Sequence, residues 1–157
     1  MNTAPRTETG LGFFVFVLQC LSVKGGSILI QTGIFGASGY AGQELLLLLR
    51  QHPHFEATFA VSDSFAGQQV DGNGLTYIAQ QDANLDDTDL VFLCTPHGAS
   101  APLAACSLDA GARVVDLSAD MRLKSADSFA RWYQQPHPAP ALLPAPYGLP
   151  EFNRNQL

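Results

Sequence analysis

Three glycines at every third position lie between two apolar runs, and they constrain the fold of this chain more than any other feature. They fall in the segment IFGASGYAGQELLLLLRQHP, residues 34–53, as Gly36, Gly39 and Gly42. Between a strand and a helix, the first glycine of such a set allows a tight turn. The second allows backbone to approach a pyrophosphate, and the third allows helix and strand to pack closely. The spacing alone is weak evidence, so its context decides the interpretation.

The flanking runs supply that context. Residues 28–35 are apolar and rich in β-branched side chains, which predicts a strand. Residues 41–52 predict a helix, and Pro53 ends it. The unbroken leucine run 45–49 would cover several faces of this helix, as expected for a helix packed against a sheet and other helices.

The rest of the chain continues the alternation of strands and helices. The further predicted strands are 55–62, a short one at 75–79, 89–95 and 112–118, with a loop at 63–74. The further predicted helices are 99–110, stopped by Gly111, and 125–135, capped by Ser125, before the proline-rich and irregular segment 136–150. This order predicts an α/β fold, a Rossmann-like doubly wound parallel sheet whose strand ends meet at one ligand-binding edge.

The glycine turn in this setting predicts a dinucleotide site. A helix N-terminus presents free N–H groups and the positive end of the helix dipole, and both attract a pyrophosphate. The residues expected on the phosphates are Gly36, Ser38, Gly39, Tyr40, Ala41 and Gly42. The alternative is that the glycines serve only a tight turn between strand and helix.

The end of the second strand, VSDS, bears on the type of cofactor. Asp63 follows Gly42 by about 21 residues, where an acid would read the adenosine ribose of NAD and repel the 2′-phosphate of NADP. Ser62 and Ser64 could instead donate hydrogen bonds to that phosphate. Asp63 could also be a solvated loop acid with no ligand.

Charge and cysteine content narrow the partners and the compartment. The chain has 14 acidic against eight basic residues and a net charge of −6, without a basic cluster, which disfavours nucleic acid as a partner. Three cysteines are too few and too uneven for a disulfide framework, which favours a reducing, cytoplasmic location. No metal site is predicted.

The apolar run 11–23 needs its own interpretation. It is short for a membrane span, and it lacks the basic start and the cleavage site of a signal peptide. We therefore expect no membrane attachment and interpret residues 1–27 as an added leader or the product of a misplaced start, with a signal peptide or membrane anchor as the alternative.

Four motifs in a fixed order resemble a known family. GASGYAGQELLLLLRQHP, DLVFLCTPHGAS, VVDLSADMRL and YGLPEFNR together resemble the N-acetyl-gamma-glutamyl-phosphate reductases of arginine biosynthesis, over residues 28–154. Reductases of a carrier-linked aminoadipyl phosphate, in lysine biosynthesis, look similar. The resemblance implies a homo-oligomer that acts on a small acyl phosphate. A cysteine thiolate displaces phosphate, and the thioester then accepts hydride from NADPH and leaves as the semialdehyde.

The chain departs from this pattern at its end. The family's nucleophile lies in a segment like NPGCYPT shortly after YGLPE, and Leu157 comes before any such segment. We therefore expect residues 28–157 to be the cofactor-binding domain, without the second, catalytic and dimerisation domain and without turnover. Cys94 is no expected substitute, because it belongs to the apolar run VFLC and buried cysteine behaves as a small hydrophobe.

Two further departures concern the cofactor. Many relatives carry threonine at the position of Ala41, and relatives often carry an arginine near Asp63 that suits NADP. We expect NADP by resemblance, with NAD as the alternative that Asp63 favours.

By resemblance, TPHGAS passes the nicotinamide side of the cofactor. This assigns Thr95, Pro96 and His97 to the site, with Ser100 as a cap for the next helix. The alternative for His97 is a structural loop histidine.

By the same resemblance, Ser118 and Arg122 in DLSADMRL face the substrate, where a hydroxyl donates and a guanidinium clamps an anion. The alternative is a structural network in which Asp116 and Asp120 pair with Arg122.

Two other functions compete with the reductase. A non-catalytic dinucleotide sensor would need no substrate-side residues, so the retained DLSADMRL motif disfavours it. Aspartate-semialdehyde dehydrogenases share the glycine turn, but LSADMRL and YGLPE fit them less well.

Overall fold

A computed structural model describes residues 29–72 and 74–148 of the chain. The predicted leader at 1–27 and the end of the chain at 149–157 lie outside the described residues. Contacts divide the chain into two units, and residues 27–145 form the unit that carries the helices and strands given below. Along the described ranges, no helix has the length and apolar character needed to cross a membrane.

The described residues form five strands and three α-helices in the order predicted. The strands are β1 Ile30–Phe35, β2 Phe55–Val61, β3 Tyr77–Ile78, β4 Leu90–Leu93 and β5 Arg113–Asp116. The helices are α1 Tyr40–Gln51, α2 Ser100–Asp109 and α3 Ala126–Tyr133. Short 3₁₀ turns lie at Asp63–Phe65, Gln80–Asp82 and Pro140–Leu142. Two of these turns fall in segments predicted to be irregular, and the last begins with a proline, whose fixed φ suits the start of a helical turn.

The five strands form one parallel sheet in the order β3-β2-β1-β4-β5. The chain begins in the middle, builds outward to β3, and then crosses back to build β4 and β5 on the other side. The prediction of a Rossmann-like doubly wound sheet is confirmed. In such a sheet, the loops that leave β1 and β4 diverge to opposite faces, and the crevice between them is where ligands bind.

The core lies on both faces of this sheet. One cluster packs side chains of β1, β2 and β4 against α2 and includes Phe35, Phe59 and Leu93. The Phe35 and Phe59 rings meet edge to face, with centroids 5.6 Å apart. A Cβ at Gly33 would overlap the Phe59 ring, so the missing side chain in β1 makes room for the aromatic ring of β2.

Helix α1 packs through part of its leucine run. Leu45, Leu46 and Leu49 are buried, and each contributes roughly 1.5–3 kcal/mol relative to an exposed position. Leu47 is 41% exposed, so the run covers fewer faces than the sequence predicts. The helix ends at Gln51 and His52 is extended, because a residue before proline is disfavoured in the helical region.

Candidate functional site

The first and third glycines of the turn are required by close backbone contacts. Gly36 has a φ of +73°, and a Cβ there would lie 2.6 Å from the carbonyl oxygen of Cys94 at the end of β4. A Cβ at Gly42 would lie 2.5 Å from the carbonyl oxygen of Gly36. The turn therefore fits closely between β1, β4 and α1, directly at the crevice between the two central strands.

Gly39 lies in a different environment. Its φ of −73° is accessible to any residue, and a Cβ there would meet the Gly36 carbonyl oxygen at an ordinary 3.4 Å. Gly39 is exposed, and it is the N-cap of α1 without a side chain that caps the helix. The N–H groups of Tyr40, Ala41 and Gly42 in this first turn have no carbonyl partner within the helix. They make an anion-binding end at the ligand edge of the sheet.

The loops after β1 and β2 are joined by two serines. The hydroxyl oxygens of Ser38 and Ser62 are hydrogen-bonded at 2.7 Å, and Ser62 is buried. Ser64 is exposed, in the 3₁₀ turn that follows β2. Of the two serines predicted to donate to a 2′-phosphate, only Ser64 therefore has an exposed hydroxyl.

Asp63 is exposed but bound to the protein. Its Oδ1 accepts a hydrogen bond of 2.8 Å from the backbone N–H of Gln80. The carboxylate thus caps the short turn before β4, a contact that the sequence analysis did not predict. One carboxylate oxygen of Asp63 therefore binds this turn, so the side chain is not simply a solvated loop acid.

A cavity of about 400 Å³ lies between α1 and the segment 65–71. It begins at Ser38 beside the glycine turn, and Phe65 and Tyr77 line its far side with ring centroids 6.1 Å apart. Its volume is in the range of small-molecule sites. The segment 63–74 was predicted only as a loop, and no cavity was predicted against it.

The loop after β4 differs from its prediction at Ser100. Helix α2 begins at Ser100 itself, and its N-cap is Ala99. The Ser100 hydroxyl is hydrogen-bonded to Thr95 Oγ1 at 2.6 Å, so the predicted cap is wrong. Strand β4 has already ended at Leu93, ahead of Pro96, which is exposed.

His97 lies at the exposed surface of this loop. Its ring contacts the Tyr133 ring of α3 at a centroid distance of 5.5 Å. Trp132, next to Tyr133 in α3, is 73% exposed. The polar amide of Gln135 approaches Gly98, where an added Cβ would lie 3.0 Å from the amide nitrogen.

The actual cap of α2 comes from a distant loop. The Asp120 carboxylate, fully buried, accepts 2.6 Å and 2.9 Å hydrogen bonds from the backbone N–H groups of Gly98 and Ala101. The Asp120 carbonyl accepts from Nε2 of buried His137 at 2.9 Å. His137 Nδ1 accepts from Ala139, which assigns the ring proton to Nε2. Sequence reasoning missed this network because its partners lie far apart along the chain.

The two predicted substrate-side residues differ in their contacts with the rest of the protein. Ser118 Oγ donates to Asp116 at 2.9 Å and accepts from the Asp120 N–H at 3.1 Å, so its hydroxyl shapes the loop. Arg122 is exposed, and its guanidinium has no hydrogen bond or ion pair to the described residues. The alternative in which Asp116 and Asp120 pair with Arg122 is therefore wrong, since both carboxylates bind backbone N–H groups instead.

Cys94 is unsuited to nucleophilic chemistry. Burial, with a smaller contribution from the nearby Asp116 carboxylate, raises the pKa of its thiol to about 12. The thiolate is the reactive form, so this cysteine is inert at neutral pH. Cys106 is exposed, on α2.

Comparison with known proteins agrees with this geometry. The family model described as "Semialdehyde dehydrogenase, NAD binding domain" matches residues 31–157. The N-acetyl-gamma-glutamyl-phosphate reductase of Azotobacter vinelandii is 48% identical over 139 residues, covering 82% of this chain and 40% of the relative. The enzyme of the same name from Pseudomonas aeruginosa is 47% identical with the same coverage. The chain thus spans about 40% of the length of the curated relatives it matches.

Solved structures agree on the fold. Aspartate semialdehyde dehydrogenase II from Vibrio cholerae superimposes with a TM-score of 0.52 at 22% identity, over 60% of this chain and 29% of that one. At this identity the likeness concerns the fold alone. Together, the match of residues 31–157 and the high identity to the reductases show that the chain belongs to the semialdehyde dehydrogenase NAD-binding domain family, as a homologue of the N-acetyl-gamma-glutamyl-phosphate reductases.

Proposed function

We propose that this chain is the dinucleotide-binding part of a cytoplasmic N-acetyl-gamma-glutamyl-phosphate reductase and that its preferred cofactor is NADP. The observation that carries the proposal is the glycine turn: it lies at the crevice between β1 and β4, in a chain 48% identical to reductases of that name. The reaction reduces N-acetyl-gamma-glutamyl phosphate to the semialdehyde with release of phosphate.

The pyrophosphate binds at the start of α1. The N–H groups of Tyr40, Ala41 and Gly42 donate to it, and the helix dipole adds a favourable field. Gly39 is exposed and adds no side chain of its own beside these donors. The adenosine half extends toward β2 and β3, where Ser38 borders the 400 Å³ cavity, and the nicotinamide half extends toward the loops after β4 and β5.

The preference for NADP rests on the residues after β2. Asp63 binds the Gln80 N–H through one carboxylate oxygen, which favours a structural role over reading of the ribose. Ser62 is buried against Ser38, whereas the Ser64 hydroxyl is exposed and can donate to a 2′-phosphate. We therefore assign the 2′-phosphate contact to Ser64.

The substrate side of the site is assigned to Arg122. The Arg122 guanidinium, at the surface of the loop after β5 and without a partner among the described residues, can bind an acyl phosphate through two parallel hydrogen bonds. Bound NADPH supplies the hydride. Neither described cysteine suits the covalent step, because Cys94 stays protonated and Cys106 lies within α2. We therefore assign the nucleophile to a residue outside the described part of the chain.

A titration of the purified chain with NADPH and with NADH, followed by dihydronicotinamide fluorescence, tests the proposal. We expect saturable binding of both, with NADPH binding more tightly. Tighter binding of NADH would make Asp63 a ribose reader and would reverse the cofactor assignment. Absence of saturation with either dinucleotide would overturn the proposed function. The matched variant Ser64→Ala should weaken NADPH binding and leave NADH binding unchanged.

A further inference from the structure

The loop 95–101 has an unusual anchor for a segment at the ligand edge. It leaves β4 beside the glycine turn, since a Cβ at Gly36 would meet the Cys94 carbonyl. Gly98, at the loop tip, has a φ of +86°, and Pro96 and His97 immediately before it are exposed. Within the loop, the Thr95 and Ser100 hydroxyls are hydrogen-bonded at 2.6 Å, and the Ala99 N–H donates to the Pro96 carbonyl at 3.2 Å.

The anchor is a carboxylate from the next loop. Asp120 receives the N–H groups of both Gly98 and Ala101, and it is fully buried while doing so. Hydrogen bonds to a charged acceptor are stronger than neutral ones, and burial away from water keeps them from being exchanged. The two bonds hold the loop at its tip and at the first turn of α2.

The anchor is itself held from behind. Ser118 Oγ accepts from the Asp120 N–H at 3.1 Å, and His137 Nε2 donates to the Asp120 carbonyl at 2.9 Å. His137 is buried and its ring meets Phe129 of α3 edge to face. Both backbone polar groups of Asp120 are therefore hydrogen-bonded, and these bonds fix the position from which its side chain extends to the loop.

We propose that Asp120 is a positioning residue that holds the loop 95–101, and with it His97, in the place that receives the nicotinamide half of the dinucleotide. The inference rests on the proposed function and deepens it. In a doubly wound sheet, the pyrophosphate of the dinucleotide binds at the turn after β1, and the two halves of the dinucleotide extend from it in opposite directions. One half then runs toward β2 and β3, and the other runs toward β4 and β5. Asp120 lies on the second side and touches neither the glycine turn nor Ser64.

The test compares two ligands that differ in the nicotinamide. The purified chain and its Asp120→Asn variant are titrated with the reduced dinucleotide that the wild type prefers and with its adenosine half. The pairs are NADPH with adenosine 2′,5′-bisphosphate, or NADH with ADP. Asparagine keeps the size of the side chain but turns an NH₂ group toward one of the two N–H donors. Asp87→Asn, at an exposed aspartate before β4, is the matched control.

We expect Asp120→Asn to lower the affinity for the dinucleotide about tenfold and to shift the fluorescence of the bound dihydronicotinamide. The affinity for the adenosine half should stay unchanged. Equal weakening of both ligands would mean a general loss of structure, and unchanged binding of both would mean no positioning role; either result overturns the inference. If wild type binds neither ligand, the proposed function itself fails. If Asp120→Asn does not fold, His137→Phe, which removes the support behind Asp120, must show the same selective loss.

Discussion

The three glycines of the turn are alike in sequence and unlike in their structural surroundings. Gly36 needs its positive φ and the space beside Cys94, and Gly42 needs the space beside the Gly36 carbonyl. Gly39 needs neither, because its backbone is extended and its surroundings are open. A spacing rule treats them as one motif, whereas the packing separates two structural glycines from one whose missing side chain matters only to a ligand.

Gly39→Ala should separate binding from stability. We expect the free energy of unfolding to change by less than about 0.5 kcal/mol, because a methyl group fits there without strain. Dinucleotide affinity should fall by about tenfold or more, since the methyl stands over the donors of α1. Urea unfolding and fluorescence titration measure the two quantities.

Gly36→Ala is the matched comparison. It should lower the free energy of unfolding by about 1–3 kcal/mol, because alanine must adopt a strained φ against the Cys94 carbonyl. If Gly39→Ala is the more destabilising of the two, the separation of roles is wrong.

The two described cysteines should differ in reactivity. With iodoacetamide at pH 8, Cys106 should be alkylated in the native protein and Cys94 only after unfolding, as read by peptide mass spectrometry. Native alkylation of Cys94 at the rate of Cys106 would contradict the burial that raises its pKa to about 12. The folded state holds this proton to higher pH than the unfolded chain, so stability should decline as the pH rises from the ordinary thiol value of 9.0 toward 12.

At the scale of the elements, local signals were predictable and distant ones were not. The Ser125 cap of α3 was predicted, and its hydroxyl accepts from the Ser128 N–H at 3.2 Å, because donor and acceptor lie three residues apart. The cap of α2 comes from Asp120, nineteen residues beyond Ala101, and the nearby Ser100 was chosen wrongly in its place. A sequence pattern ranks the nearest capping residue first, whereas the fold can bring a carboxylate from another loop.

Ser125→Ala should therefore destabilise the protein by about 1 kcal/mol, the usual cost of losing an N-cap. The change is read as a lower urea midpoint with an unchanged slope. Ser64→Ala, at an exposed position, should leave the midpoint nearly unmoved. A similar shift in both variants would mean that the Ser125 hydroxyl does not cap α3 in solution.

For the molecule as a whole, the alternation of strands and helices was enough to predict the parallel sheet, because parallel neighbours require crossovers. The connection between β2 and β3 was correctly predicted to lack an α-helix. The cavity of about 400 Å³ that it forms against α1 was not predicted, and neither was the hydrogen bond of 3.0 Å that the Arg50 side chain donates to the Gly72 carbonyl. That contact joins two segments that are distant in sequence, with no periodicity linking them.

The whole chain should bind NADPH without consuming it. In the presence of N-acetyl-gamma-glutamyl phosphate, we expect no loss of dihydronicotinamide absorbance, because the Cys94 thiol is protonated and buried at neutral pH. The same assay with a full-length relative is the positive control. Turnover that disappears in Cys94→Ser would make that thiol the nucleophile and would contradict the inert role assigned here.

The Phe59 ring of β2 occupies the space that a side chain at Gly33 of β1 would need, so the sizes of these two residues depend on each other. Any side chain at position 33 must be matched by a smaller one at position 59, and a smaller residue at 59 alone leaves a void in the central strands. In evolutionary terms, a change at either position alone carries a cost in packing that a matched change at both positions avoids. A lineage that reaches alanine at one and leucine at the other must therefore cross an intermediate with either an overlap or a hole in its core.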